Sequence, residues 1–285
     1  MRSMRENTMK GSTSSKPDGR SWNNNLVREL VWDLRVWIFF WILMSSWSAQ
    51  SQENELGSGN VGVNPNPPTV EEIFERYEQS LGGKSRLEAI STRVVSGALE
   101  ITDFGIRAKA VIEEKAPYFR KFSLQAPGLG ETLEVYSENQ GWIKSPSQGV
   151  VQKSTEELRL NKRINGFHRD LNLENIYQSF SVKELTKSQN EEVYVVECTS
   201  EIGEVDRLYF SVNSGLLVRE EPFRVAQDGD SVFTIYYEEY GSLNGIRYPS
   251  KIRVQPPFGG IIRFDVEEIS FDKPIEDSYF SKPQE

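Results

Sequence analysis

The chain has 285 residues, and its 33 Lys and Arg against 42 Asp and Glu give a formal net charge of −9 at pH 7. This balance disfavours a nucleic-acid partner, because binding to a phosphate backbone requires a basic surface. The only cysteine, Cys198, excludes an intramolecular disulfide, so a folded domain depends on its core for stability.

Residues 1–49 are predicted to be a signal peptide or an N-terminal membrane-targeting segment. A short apolar run, 36–44, follows Arg28 and Arg35 and precedes small residues, which is the pattern of a secretory leader. A membrane-spanning helix needs about 20 apolar residues, so cleavage after Ser48 or Ala49 is favoured over an uncleaved anchor. We therefore expect an exported protein in the periplasm of a Gram-negative-type bacterium, attached to a membrane if the leader is retained.

Residues 50–68 are predicted to be a disordered linker, because they are rich in Gly, Asn and Pro and poor in large apolar side chains. A single domain is then predicted over residues 69–285. The single-domain prediction fits the size range of all-β folds.

The domain is predicted to open with an amphipathic helix. Thr69 and Glu72 have the spacing of a capping box, and Gly82 follows the last apolar position. The apolar residues recur at intervals of three and four, which places them on one stripe of the helix. They are Val70, Ile73, Phe74, Tyr77 and Leu81.

The rest of the domain is predicted to be an antiparallel meander interrupted by short helices. Turn residues separate runs of strand-forming residues, except between 155 and 180, where a capping box at Ser154 and Glu157 opens a helical spacing. Strands are predicted at 93–102, 106–114, 116–124, 131–137, 142–144, 182–186, 193–199, 205–211, 216–221, 232–240, 246–255 and 261–269. We expect a mainly β (α+β) fold, a curved sheet whose concave face is covered by the helices.

No catalytic or metal site is predicted. His168 is the only histidine, and with Asp170 nearby it is a candidate general base, but no partner nucleophile is recognisable. One His and one Cys make no zinc pattern, and Asp228-Gly-Asp230 is more typical of a hairpin turn than of a calcium loop. The sequence predicts a protein that is not an enzyme and holds no cofactor or metal.

Apolar surface is the remaining candidate for function. The helix stripe and aromatic residues of the early strands would line a cavity between helix and sheet, or would fill a core. Each methylene moved from water into such a cavity contributes about 0.8 kcal/mol, which suits an acyl chain. The predicted cavity residues are Ile73, Phe74, Tyr77, Leu81, Phe119 and Trp142.

Several motifs, in this order, resemble those of the LolA/LolB-like outer-membrane lipoprotein-sorting proteins. They are L-G-G-K-x-x-L-x-x-I-x-T from Leu81 with a Gly at 97, N-x-G-W at 139–142, Y-F-x-x-x-S-G-L-L-V-R at 209–219, Y-x-x-x-x-G-x-x-x-P from Tyr236 or Tyr240 through Gly245 to Pro249, and the closing segment 274–283. The resemblance implies an unclosed barrel of about eleven strands around a hydrophobic cavity, with helices as a lid. It departs at Ser211, where relatives often have Asp, and a basic hook residue cannot be placed.

The resemblance further implies a periplasmic carrier of lipid or lipoprotein acyl chains. We expect a monomer whose protein partners are donors and acceptors in the envelope. An alternative from a different class is a structural or interaction module with a filled core. A hydrolase using His168 is a third hypothesis. Binding of a hydrophobic dye that fatty acids displace would distinguish the carrier from the interaction module. The variant His168→Ala tests the hydrolase, because only an enzyme would lose its function.

Overall fold

The computed structural model describes residues 67–222, 234–256 and 260–284. The predicted leader, nearly all of the predicted linker and the Asp228-Gly-Asp230 turn lie outside the described residues. Among the described helices, none is long and apolar enough to cross a membrane.

Four α-helices are described, and the first confirms the capping prediction. Thr69 Oγ1 accepts from the Glu72 backbone N–H at 3.2 Å, and the Thr69 N–H donates to Glu72 Oε2 at 2.9 Å. Ser154 and Glu157 form the second predicted capping box. The helices are α1 (Val70–Leu81), α2 (Lys84–Ala89), α3 (Thr155–Asn165) and α4 (Leu173–Ile176), with 3-10 turns at Thr102–Phe104, Arg169–Leu171 and Asp277–Phe280.

The described strands form one antiparallel sheet of 13 strands. Their bounds are β1 (Thr92–Ile101), β2 (Ile106–Lys115), β3 (Phe119–Ala126), β4 (Gly130–Tyr136), β5 (Gly141–Ser145), β6 (Gly149–Gln152), β7 (Ser179–Ser188), β8 (Glu191–Thr199), β9 (Val205–Ser211), β10 (Leu217–Glu221), β11 (Thr234–Leu243), β12 (Ile246–Gln255) and β13 (Ile262–Phe271). The strand order is β6-β5-β4-β3-β2-β1-β13-β12-β11-β10-β9-β8-β7. The sheet is not closed, so the prediction of a mainly β, unclosed half-barrel with helices is confirmed.

The described sheet has two strands more than the resemblance implies. One strand that the sequence pattern did not reveal is β6, which has four residues and is mostly exposed. A strand this short and this exposed has no alternation of apolar and polar residues, and alternation is the signal on which strand prediction rests.

Helix α1 packs its apolar stripe on one face of the sheet. Ile73, Phe74, Tyr77 and Leu81 are all buried, and Phe210 of β9 meets the rings of Phe74 and Tyr77 at centroid distances of 5.7 and 5.2 Å. Other members of this cluster come from β8, β9, β10 and the connection before β7. They include Val196, Cys198, Leu208, Leu217, Leu173 and Tyr177.

The C-terminal segment after β13 packs near β2 to β5. Phe280, 1% exposed, forms a buried cluster with Val135 and Trp142. The Lys115 ammonium donates to the Ile275 carbonyl at 2.7 Å. The segment therefore covers a second apolar surface of the sheet, apart from the core under α1.

Gly82, which ends α1, allows a close backbone contact. Its φ is +127°, and a Cβ at this position would lie 2.4 Å from the Gly245 carbonyl oxygen in the β11–β12 turn. Gly82→Ala is therefore expected to lower the free energy of unfolding by about 2–3 kcal/mol, through both strain and overlap. Urea denaturation measures this change.

Gly105→Ala is the matched control, because Gly105 also has a positive φ, +60°, but a Cβ there meets nothing within 4 Å. This variant is expected to lose only the conformational part, about 1 kcal/mol. Equal losses in the two variants would contradict the role given to the Gly82–Gly245 contact.

Candidate functional site

The register of the sheet identifies the residues that share a face with α1. Residues directly opposite each other on neighbouring strands point to the same side of a sheet. Arg93 of β1 lies opposite Glu114 of β2 and Phe271 of β13, and Phe271 packs against the core cluster under α1. Arg93 and Glu114 therefore lie on the helix-bearing, concave face.

The same face carries a broad set of apolar side chains further along the strands. They continue the face of Arg93, Glu114 and Phe271 and lie opposite one another across β3, β2, β1, β13 and β12, with one register shift between Ile269 and Val266 of β13. We call this set the concave patch: Leu99, Ile112, Phe122, Leu124, Ile252, Val254, Ile262, Phe264, Val266 and Ile269.

The concave patch differs from the core in its exposure. Each of its side chains is half-buried, whereas the α1 stripe is buried. Among the described residues, no patch member belongs to any of the three buried apolar clusters or packs against one. The patch is thus an incompletely covered apolar surface inside the curve of the sheet.

The six predicted cavity residues are not brought together. Ile73, Phe74, Tyr77 and Leu81 lie in the buried core cluster under α1. Trp142 lies opposite Val135, which in turn lies opposite Lys121 of β3, so these three side chains share one face. Arg120, the residue before Lys121, lies opposite Glu114 and therefore on the concave face. Because side chains alternate along a strand, Trp142 and Phe119 point to the other face.

Trp142 and Phe119 instead contact the C-terminal segment. Phe119 and Phe280 have ring centroids 5.4 Å apart, and Trp142 belongs to the same cluster as Phe280. Of the six residues, Ile73 alone lines a cleft of about 420 Å³ beside α1, together with Arg76, Tyr194 and Phe210 among others.

A row of charged side chains borders the concave patch. The Arg93 Nε–Glu114 Oε2 distance is 2.7 Å, and Arg120 Nε lies 3.6 Å from Glu114 Oε1. The Arg93 guanidinium also stacks over the Phe167 ring at 5.4 Å. Burial alone would lower the pKa of Arg93, but the charge and hydrogen bond of Glu114, together with the charge of Asp170, raise the pKa overall, so this cation persists.

A second buried ion pair lies deeper, between Arg169 and Glu220 of β10. Arg169 Nη2 lies 2.5 Å from Glu220 Oε1, and the Tyr237 hydroxyl donates to Glu220 Oε2 at 2.9 Å. Burial opposes the charge of Arg169, but Glu220 raises its pKa well above the usual value. Burial also raises the pKa of Tyr237, which keeps its phenol neutral and able to donate.

The two ion pairs meet at a small polar cavity of about 130 Å³. Its lining includes Arg93, Glu114, Arg169, Tyr77 and Tyr240. Since its walls carry paired charges and phenols, it suits polar groups or water and not an alkyl chain. The cavity therefore adds a polar end to the apolar concave patch.

The segment from α3 to α4 is tied to β9 and its preceding turn by arginines. Arg159 lies 3.3 Å from Glu204, Arg163 also pairs with Glu204, and Arg163 Nη2 is 3.9 Å from Asp206. The Tyr177 hydroxyl donates to Asp206 at 2.5 Å, and burial raises the pKa of Tyr177. This helical segment is thus held to the sheet by charged contacts as well as apolar ones.

His168, the candidate base, occupies a structural position. Its Nε2 lies 3.2 Å from the Ile90 carbonyl, and its ring meets Phe167 edge to face at 4.8 Å. Within residues 67–222, 234–256 and 260–284, no group of three or more His, Cys, Asp or Glu side chains could hold a metal ion.

Sequence reasoning missed the concave patch, although its signal was present. Ile262, Phe264 and Val266 alternate with Arg263 and Asp265 in the printed sequence. Such alternation predicts one apolar face, but it does not say whether a helix covers that face.

Comparisons with known proteins agree on the fold. No protein-family model and no curated protein matches the sequence. Among solved structures, a DUF1329 family protein from Desulfovibrio piger is 12% identical, with a TM-score of 0.55 and coverage of 74% of this chain and 97% of its own. A LolA superfamily protein from Nitrosomonas europaea is 15% identical, with a TM-score of 0.53 and coverage of 76% and 99%.

A third solved structure, an outer membrane lipoprotein-sorting protein domain from Vibrio parahaemolyticus, is 12% identical, with a TM-score of 0.50 and coverage of 74% and 97%. At these identities the likeness concerns the fold. The sequence motifs and the structural neighbours therefore point to the same conclusion: this chain has a LolA-like fold.

Proposed function

We propose that this protein is a carrier that shields an acyl chain of a lipid or lipoprotein on the concave patch. The observation that supports this most directly is a broad set of half-buried apolar side chains that belongs to none of the buried clusters. Contiguous apolar side chains that remain only partly covered are typical of a ligand-binding surface. The ligand gains free energy from burial alone, with no covalent step.

The proposed setting follows from the predicted leader and from the neighbours with the same fold. An exported protein of this kind works in the periplasm, receives its cargo from a donor in one membrane and delivers it to an acceptor. One of the neighbours is a lipoprotein-sorting domain, which supports an envelope location. We propose a monomer without catalytic activity, cofactor or metal.

The structural or interaction module remains the second candidate. A specific observation favours it: Ile73, Phe74, Tyr77 and Leu81, four predicted cavity residues, are buried in the core cluster under α1. If the protein is such a module, the concave patch binds no fluorescent ligand that fatty acids can displace.

The deciding experiment is binding of a fluorescent fatty acid to the purified protein, with competition by unlabelled fatty acids. The carrier requires saturable binding that the competitor abolishes. Native mass spectrometry of protein purified without detergent then identifies the bound lipid. Protein that is purified without bound lipid and does not bind added acyl chains would rule out the carrier function and favour the interaction module.

Ile112→Asp is expected to weaken fatty-acid binding at least about tenfold, because it puts a charge into apolar surface that an acyl chain must cover. Ile112 lies in the middle of the patch, opposite Phe122 of β3. Fluorescence titration of the labelled fatty acid measures the change.

Val111→Asp is the matched control. Val111 precedes Ile112 on β2, is also half-buried, and points to the opposite face, where it lies opposite Ser96 and Ser123. The affinity of Val111→Asp for the labelled fatty acid should equal that of the unaltered protein. Thermal unfolding of both variants verifies that they fold. Ile112→Asn replaces the aspartate variant if the charge prevents folding, and equal affinities on the two faces would argue against the patch as the site.

A further inference from the structure

One end of the sheet, where hairpin turns join neighbouring strands, carries apolar side chains. In an antiparallel meander, successive hairpin turns lie at alternate ends of the strands. The β1–β2, β3–β4, β5–β6 and β8–β9 turns therefore share one end of the sheet, which we call the tip edge and define as residues 102–105, 127–129, 146–148 and 200–204. Phe104 and Ile202, at 36% and 61% exposed, lie in it.

The opposite edge has a different composition. Four of its described turns, at 137–140, 189–190, 213–215 and 244–245, consist of Ser, Glu, Asn, Gln and Gly, and the fifth, at 116–118, is Ala-Pro-Tyr. Within these described turns the exposed large apolar residue is Tyr118, 39% exposed, and the Lys162 ammonium lies 5.1 Å from its ring centroid. Among the described residues, the most exposed large apolar side chain, Ile202, thus lies on the tip edge together with Phe104.

The tip edge is continuous with the concave patch. Ile262 of the patch lies opposite Ile101, the last residue of β1. The side chains of Ile101 and Phe104 both lie against Gly260. A Cβ at this glycine would be 3.1 Å from Ile101 Cγ2 and 3.3 Å from Phe104 Cε2. An apolar path therefore runs from the patch through Ile101 to the exposed ring of Phe104.

The charge of the tip edge limits what it can bind. Asp103 and Glu201 are exposed in its turns, and the nearby exposed arginines, Arg107 and Arg263, both lie opposite Glu100. The whole chain carries a net charge of −9. A surface rich in anionic lipid would repel this edge, whereas zwitterionic lipid would not.

We propose that the tip edge docks onto the interface of a zwitterionic lipid bilayer, with Phe104 and Ile202 inserted among the acyl chains. Exposed apolar side chains fit a membrane interface because they lose water on insertion, and Phe104 also adjoins the apolar path to the concave patch. Docking in this orientation brings the apolar path from Phe104 to the patch against the lipid. The inference rests on the proposed carrier function and adds where the acyl chain enters.

The first test uses a position-specific probe on the full chain. Cys198 is the only cysteine and is buried, so an engineered surface cysteine carries an environment-sensitive fluorophore without background. The label is placed at Ile202→Cys on the tip edge and at Tyr118→Cys on the opposite edge. With phosphatidylcholine vesicles, the emission at 202 should shift to the blue and that at 118 should not; no shift at 202, or equal shifts at both positions, would overturn the inference.

The second test measures affinity by vesicle flotation. Phe104→Ser combined with Ile202→Ser should bind phosphatidylcholine vesicles at least about tenfold more weakly, since two side chains no longer transfer from water to the interface. Tyr118→Ser is the matched control and should bind as the unaltered protein does. Unchanged binding of the double variant, or tighter binding when anionic lipid is added, would contradict the docking mode.

The two proposals fail separately. Fatty-acid binding is measured without vesicles, so a protein that binds fatty acid but shows no signal at 202 would retain the carrier function and lose the docking inference. A signal at 202 that appears only with an envelope protein, and not with vesicles, would identify a protein partner and overturn bilayer docking.

Discussion

Glu220→Leu is expected to lower the free energy of unfolding by about 3–5 kcal/mol, because it leaves the buried Arg169 guanidinium without its main partner. Glu220 is 1% exposed and accepts from both Arg169 and the Tyr237 hydroxyl. Its removal also deprives the Tyr237 hydroxyl of its acceptor. Chemical denaturation followed by circular dichroism measures the loss.

The combination of Glu220→Leu with Arg169→Met is the decisive control. A buried ion pair that is replaced as a whole by apolar residues loses far less stability than one that is broken. The double variant should therefore be more stable than Glu220→Leu alone. A single variant within about 1 kcal/mol of the unaltered protein would show that Arg169 finds another partner, for example Asp170, whose Oδ1 lies 3.8 Å from Arg169 Nη1.

Phe210→Ala is expected to cost about 3–5 kcal/mol, the range found when a buried aromatic side chain is truncated and leaves a cavity. Phe210 is 1% exposed and contacts Phe74 and Tyr77 of α1 through ring edges. The loss should loosen α1 from the sheet, since these rings are a central part of the contact between them. Hydrogen exchange of the α1 amides, together with urea denaturation, measures both effects.

Tyr118→Ala is the control for this truncation, because Tyr118 is 39% exposed and belongs to none of the buried clusters among the described residues. It should cost less than about 1 kcal/mol. A loss at Phe210 as small as this would mean that the core under α1 is loosely packed and can admit a ligand. That result would restore the helix stripe as a cavity wall.

The sequence alone determined the features that depend on local spacing. The capping box of Thr69 and Glu72 uses atoms three residues apart, and the α1 stripe follows the helical period. The turn residues separated all strands but the short β6. Local hydrogen bonds and periodicity need no information from the rest of the chain, so these predictions hold in the structure.

The tertiary structure decided which side chains share a surface. Trp142 pairs with Val135, and this register places it against Phe280 instead of under α1; a shift of one residue would have reversed the face. Arg169 and Glu220 are 51 positions apart, so no local pattern predicts their contact. The concave patch is visible as alternation in β13, but only the placement of α1 over other strands leaves it uncovered, because packing between distant segments determines burial.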